Sequence, residues 1–213
     1  MRKIKELEET EKKEEKEKLA KLAASVAKDK IMIKKLEEQQ AKLLKSPVRD
    51  LHGLNQSIDL VRIECVTKAA KYLVSCYIKL NSAEKRLYEQ LLNFDDDGQK
   101  EKRLELLTNE VTGLGGLHIY DIIATGIEYR DAAGGGNFKF SNIPPKTMYK
   151  LFKETSKVDV ERAAYYLYLY CLKYGLNKEA AEEFKNITSS ELKKEADSLR
   201  DIKQARSDLF ATK

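Results

Sequence analysis

The chain has 213 residues, of which 35% are charged and 42% hydrophobic, with ten Gly, three Pro and no Trp; few breakers and much Lys, Glu, Leu and Ala favour long helices over a many-turned β fold. No run approaches the roughly 18 apolar residues that span a bilayer, and residues 1–18 are too charged to hold an apolar secretory segment. Net charge is a mild +5, and residues 1–46, with 14 Lys/Arg and 10 Asp/Glu, carry +4 of it, so attraction to an acidic partner is concentrated there.

Residues 2–45 contain neither Gly nor Pro. Their first part is almost pure Glu and Lys. Glu8 and Lys12, Glu9 and Lys13, Glu14 and Lys18, and Glu17 and Lys21 stand four apart with Glu first. Each such pair adds about 0.3 kcal/mol to an isolated helix. The stretch predicts a solvated helix, with disorder as the alternative for so polar a composition. From Leu19 the pattern changes: Leu19, Leu22, Val26, Ile33, Leu36 and Leu43 follow a 3-4 heptad spacing, interrupted by Asp29 and Gln40. That spacing predicts a seam for another helix, in a second chain or in the chain's own domain.

Ser46-Pro47 predicts the end of this helix. Ile58, Val61, Cys65, Ala69, Leu73, Cys76 and Leu80 then recur at helical spacing and predict a long amphipathic helix. Cys65 and Cys76 would lie roughly 16 Å apart along it, beyond disulfide reach. Asn81-Ser-Ala-Glu84 has the form of a capping box and predicts a new helix through about Phe94. Asp95-Asp-Asp-Gly98 breaks it, and residues 100–112 predict a further short helix.

Residues 117–129 suit a helix by the placing of Ile119, Ile122, Ile123 and Ile127, but their β-branched content and Gly126 weaken that reading. Residues 131–142, with Gly134-Gly-Gly136, predict a long flexible loop, in which Phe138-Lys-Phe140 could form a short edge strand. Pro144-Pro145 marks a helix start. Residues 158–174 are apolar nearly all round and predict a buried central helix, with Gly175 as its C′ residue and Leu176 placed for a Schellman contact. Asn177 is expected to cap a short helix, and Thr188-Ser-Ser-Glu191 to open a polar terminal helix over 189–210.

The chemistry-bearing patterns are incomplete. Asn93-x-Asp95-x-Asp97-Gly98 resembles half of a calcium-binding loop, but the position of the bidentate acid is Leu104, so a helix stop is expected instead. Gly113-x-Gly-Gly116 lacks the strand and third Gly of a dinucleotide loop, His118 standing in the latter's place. Gly134-Gly-Gly136 lacks the Lys-Ser/Thr that grips phosphates. His118 and Asp121 could share a helix face for acid–base work, yet no nucleophile accompanies them. Cys171 reads as core packing. Tyr165, Tyr166, Tyr168, Tyr170 and Tyr174 could stack on bases, but with only Arg162 and Lys173 beside them they are expected to fill a core and send their hydroxyls to its rim.

The expected fold is all-α: a coiled-coil-like helical extension over residues 1–46, then a compact helical domain over 54–210. The expected function is that of a non-enzymatic structural or assembly protein without metal or cofactor, intracellular and cytoplasmic. Leu19, Leu22, Val26, Ile33, Leu36 and Leu43 would engage a second copy or another helical protein. The first alternative is a nucleic-acid-binding or nucleoprotein-like protein that uses the basic N-terminal segment on phosphates. The second is an enzyme with an unfamiliar helical site.

Overall fold

The computed structural model describes residues 2–44, 58, 61–92, 118–123, 126–131, 134–156 and 160–211, with side chains of the first helix from residue 12 to 42. The fold is all-α apart from one small sheet. Helix α1 (Arg2–Leu44) runs 43 residues without interruption, about 65 Å at 1.5 Å per residue. Helix α2 (Lys68–Leu92) follows. Strands β1 (His118–Ile123), β2 (Gly126–Asp131) and β3 (Gly134–Lys139) form an antiparallel sheet in that order. Then come α3 (Pro145–Thr155), α4 (Val160–Tyr174), α5 (Asn177–Asn186), α6 (Ser190–Ser198) and α7 (Ile202–Ala211).

Helix α4 is the central element, as its all-round apolar surface requires. Ala163, Ala164, Leu167, Leu169 and Cys171 are buried, and α2, α3, α5 and α6 pack around it. It ends as expected. Gly175 takes φ +70°, which a Cβ would oppose. The Leu176 N–H then donates to the Cys171 carbonyl at 2.9 Å and the Gly175 N–H to Leu172 at 3.3 Å, the two bonds of a Schellman stop. A chain of ring contacts ties the layers together: Tyr88 of α2 meets Phe152 of α3 edge-on at 5.0 Å, and Phe152 meets Tyr170 of α4 at 5.2 Å.

Five expectations from the sequence are corrected. The capping box at Asn81 starts no helix, because α2 runs straight through it with Asn81 and Glu84 fully buried. The long helix expected from Ile58 is instead interrupted at residues 65–67, and α2 begins at Lys68. Asn177 is the first residue of α5, not its cap; Ser189, not Thr188, caps α6, accepting the Leu192 N–H at 3.3 Å. The terminal helix is two helices, separated at residues 199–201.

The expected glycine loop is a strand. β3 pairs with β2 in continuous register from Gly126 opposite Lys139 to Asp131 opposite Gly134. A Cβ at Gly136 would sit 2.6 Å from the Tyr129 hydroxyl, and one at Gly126 2.2 Å from the Phe138 carbonyl oxygen. The glycines thus admit a ring and a neighbouring backbone instead of conferring mobility. Phe138 stacks on Tyr129 at 4.6 Å. The next aromatic, Phe140, leaves the edge strand through a 3-10 turn and enters the core.

Candidate functional site

The heptad residues of α1 divide into two groups. Ile33 and Leu36 are fully buried and belong to the core of the chain's own domain. Val26 is half-buried. Leu19 and Leu22 are 60% and 57% exposed, within a run, residues 12–24, in which every residue is exposed. The side chain of Leu43 lies outside the described residues, as do residues 45–57 with the Ser46-Pro47 break. One unbroken helix therefore serves as an anchor in its second half and presents an uncovered surface in its first.

The anchor rests on the residue that interrupts the heptad pattern. Asp29 is fully buried. Its Oδ2 accepts the Thr67 N–H at 2.7 Å, and its Oδ1 and Oδ2 accept the Val66 N–H at 3.1 and 3.3 Å. The Thr67 hydroxyl in turn accepts the Ala70 N–H at 3.2 Å. Thr67 is thus the N-cap of α2. Ala70, at the third helical position, cannot return the bond that Glu or Gln gives in a capping box, and Asp29 supplies that acceptor from α1. A carboxylate at this end also opposes the positive pole of α2. The same environment disarms Cys65: burial, then the Asp29 charge, push its thiol up to about 11, so little thiolate forms at neutral pH.

A second tie joins α1 to α7. Glu37 accepts from Arg206 Nε at 2.6 Å and from Nη2 at 2.8 Å, and the Tyr77 hydroxyl of α2 donates to the same carboxylate at 2.8 Å. Burial pushes the Glu37 carboxyl up, but the bonds from Arg206 and Tyr77 outweigh it and hold the group below its ordinary 4.5.

Two buried polar clusters lie within the domain. In the first, Lys173 of α4 reaches Glu84 Oε2 and Asn81 Oδ1 of α2, both at 2.5 Å, and the Tyr174 hydroxyl donates to Glu84 Oε1 at 2.8 Å. In the second, buried Glu183 of α5 accepts from the Tyr149 hydroxyl at 2.5 Å and pairs with Lys153 at 2.8 Å, both partners on α3. Burial, then the hydrogen bond to Glu183, drive the Tyr149 hydroxyl well above its ordinary range, so it holds its proton.

The tyrosine row of α4 is core, as expected. Tyr165, Tyr168 and Tyr170 are buried; the Tyr168 hydroxyl donates to the Ala196 carbonyl at 3.2 Å and that of Tyr170 to the Pro145 carbonyl at 3.3 Å. Cys65, Cys76 and Cys171 are free and buried. Among the described residues no three of His, Cys, Asp and Glu gather to hold a metal ion, and no helix is long and apolar enough to cross a membrane. The acidic turn at residues 93–98, the Gly113–Gly116 turn and the His118 side chain lie outside the described residues; Asp121 stands in β1, not on a helix, where it accepts the Ile122 N–H at 2.9 Å.

The heptad spacing marks the apolar residues of α1 but gives no role to Asp29 or Glu37, and it is the spacing of a capping box, not of a buried pair, that Asn81 and Glu84 carry. The available signal was an acid within an apolar stripe, which must be paired if the stripe is buried. No family model, curated protein or solved structure matches this chain.

Proposed function

We propose that the chain is a non-enzymatic assembly protein, in which the helical domain holds and orients the first half of α1 for pairing with a helix of a second copy. The observation that carries this reading is the exposure of Leu19 and Leu22 on a helix whose later turns bury Asp29, Ile33 and Leu36 in the domain. Fixing the helix at one end reduces the ordering cost that a free segment would meet on binding. Charge favours a helix as the partner. Residues 2–24 hold eight Lys/Arg and seven Asp/Glu, a near balance that suits mixed-sign pairing between helices and gives little net attraction to phosphate.

Light scattering on the full chain, at low and high salt, with and without single-stranded nucleic acid, tests it. The expected result is a mass above 24.4 kDa that persists in salt and falls to the monomer value in a Leu19→Asp/Leu22→Asp double variant with unchanged helical circular dichroism. A monomeric parent chain would overturn the reading. Steeply salt-dependent nucleic-acid binding by that monomer would establish the phosphate-binding alternative in its place.

A further inference from the structure

Four helices of the domain enclose a pocket of about 170 Å³, open to solvent on one side and contributed to by Gln40 of α1, Asn81 of α2, Lys173 of α4 and Lys203 of α7. We infer that this pocket binds a small organic monocarboxylate, with its apolar body between the helices and its carboxylate on Asn81, Lys173 and Lys203.

The pocket wall carries an unmet hydrogen-bond donor. Asn81 is fully buried, and its Oδ1 is fixed by the bond from Lys173 Nζ, which can only donate. The amide nitrogen is therefore the other atom, and it has no partner among the described residues. Lys173 places two of its three N–H groups, on Asn81 and Glu84. Its ammonium also lies 5.7 Å from the centre of the Tyr174 ring, and the side chain keeps 10% exposure. Buried donors without acceptors are costly, and native folds supply them with partners. Asn81 and Lys173 both line the pocket, and the unpartnered amide calls for an oxygen-bearing group.

Charge around the pocket is unbalanced as well. Lys173 is paired with Glu84 and Arg206 with Glu37. Lys203, exposed at the rim, has no ion pair among the described residues. Three cations against two carboxylates leave one positive charge, which one anionic group would balance. Leu80, Leu172 and Ile202 supply an apolar wall, beside Tyr77 and Gln40. A dry cavity of about 150 Å³ accommodates benzene, so the volume sets the ligand body at about one six-membered ring. An inorganic anion would leave the apolar wall uncovered, and a neutral ring would leave the charge and the donor unanswered.

Calorimetric titration of the full chain with benzoate, benzyl alcohol and inorganic phosphate tests all three elements. Benzoate is expected to bind saturably at one site per chain, at least about tenfold more tightly than the other two, a difference equal to one charge-assisted contact. Lys203→Glu, at an exposed position that leaves the melting temperature of the free chain unchanged, is expected to weaken benzoate about tenfold or more, and Lys203→Arg to retain it. Absence of saturable benzoate binding overturns the proposal. So does benzyl alcohol or phosphate binding as tightly as benzoate, or an affinity that Lys203→Glu leaves unchanged.

Discussion

Asp29 of α1 accepts the backbone N–H of Thr67 at 2.7 Å, 38 residues further along the chain. One carboxylate thereby fixes the start of α2 and the docking of α1 together. Replacement by Ala would leave the Val66 and Thr67 amides without their acceptor. The expected cost is about 2 kcal/mol, the sum of a lost cap and a buried unsatisfied group. Asp29→Asn keeps one oxygen and should cost less. Urea unfolding of the two variants checks the order; equal effects would show that only charge matters at this site.

The two halves of the heptad stripe should respond differently to truncation. Ile33→Ala removes a fully buried side chain and is expected to cost about 2–5 kcal/mol. Leu19→Ala, at 60% exposure, should change the stability of the dissociated chain by less than about 0.5 kcal/mol. Chemical denaturation at concentrations low enough to dissociate any oligomer would show the contrast.

Acid should loosen α1 from α7. The folded-state pKa of Glu37 is depressed below 4.5, so its stabilisation is present above pH 4.5 and is lost as pH falls through the folded value. Arg206 is half exposed, which limits the pair to about 1 kcal/mol at most. Glu37→Gln should therefore lower the melting temperature slightly at pH 7 and match the parent chain at strongly acid pH, as thermal melts across that range would reveal.

Breaking the buried pair of Glu84 and Lys173 from one side should be severe. Glu84 is fully buried and the Lys173 side chain 10% exposed. Lys173→Met would take the lysine's charge away from the buried carboxylate and is expected to cost about 3–5 kcal/mol. Adding Glu84→Gln should recover much of the loss, since no uncompensated charge then remains. A double-mutant cycle measures the coupling directly.

Much of this fold is legible in residue order because it is local. The absence of Gly and Pro from residues 2–45 gives α1, Pro145 starts α3, and Gly175 with Leu176 ends α4. The misread boundaries share a cause. Asn81 and Glu84 have the spacing of a cap, but a lysine 89 residues beyond Glu84 draws their side chains into the core. Thr67 gives a weak local signal for a helix start, because the acceptor that completes it stands on another helix. Gly134 to Gly136 look mobile until Tyr129 and the β2 backbone are placed against them. The exposed apolar pair Leu19 and Leu22 was legible as part of a seam; that the seam divides near Val26 depends on where α2 and α7 lie.

The continuity of α1 makes it a ruler with a defined phase. From Asp29 back to Leu19 the axis runs about 15 Å with no Gly or Pro to absorb rotation. Each residue turns the helix by 100°, so one inserted residue between Ala24 and Lys28 would swing the Leu19 and Leu22 face about a quarter-turn round the axis, whereas seven would restore its heading some 10 Å further out. The bearing on which the domain presents this face is thus set by the number of residues between the two leucines and a single buried carboxylate.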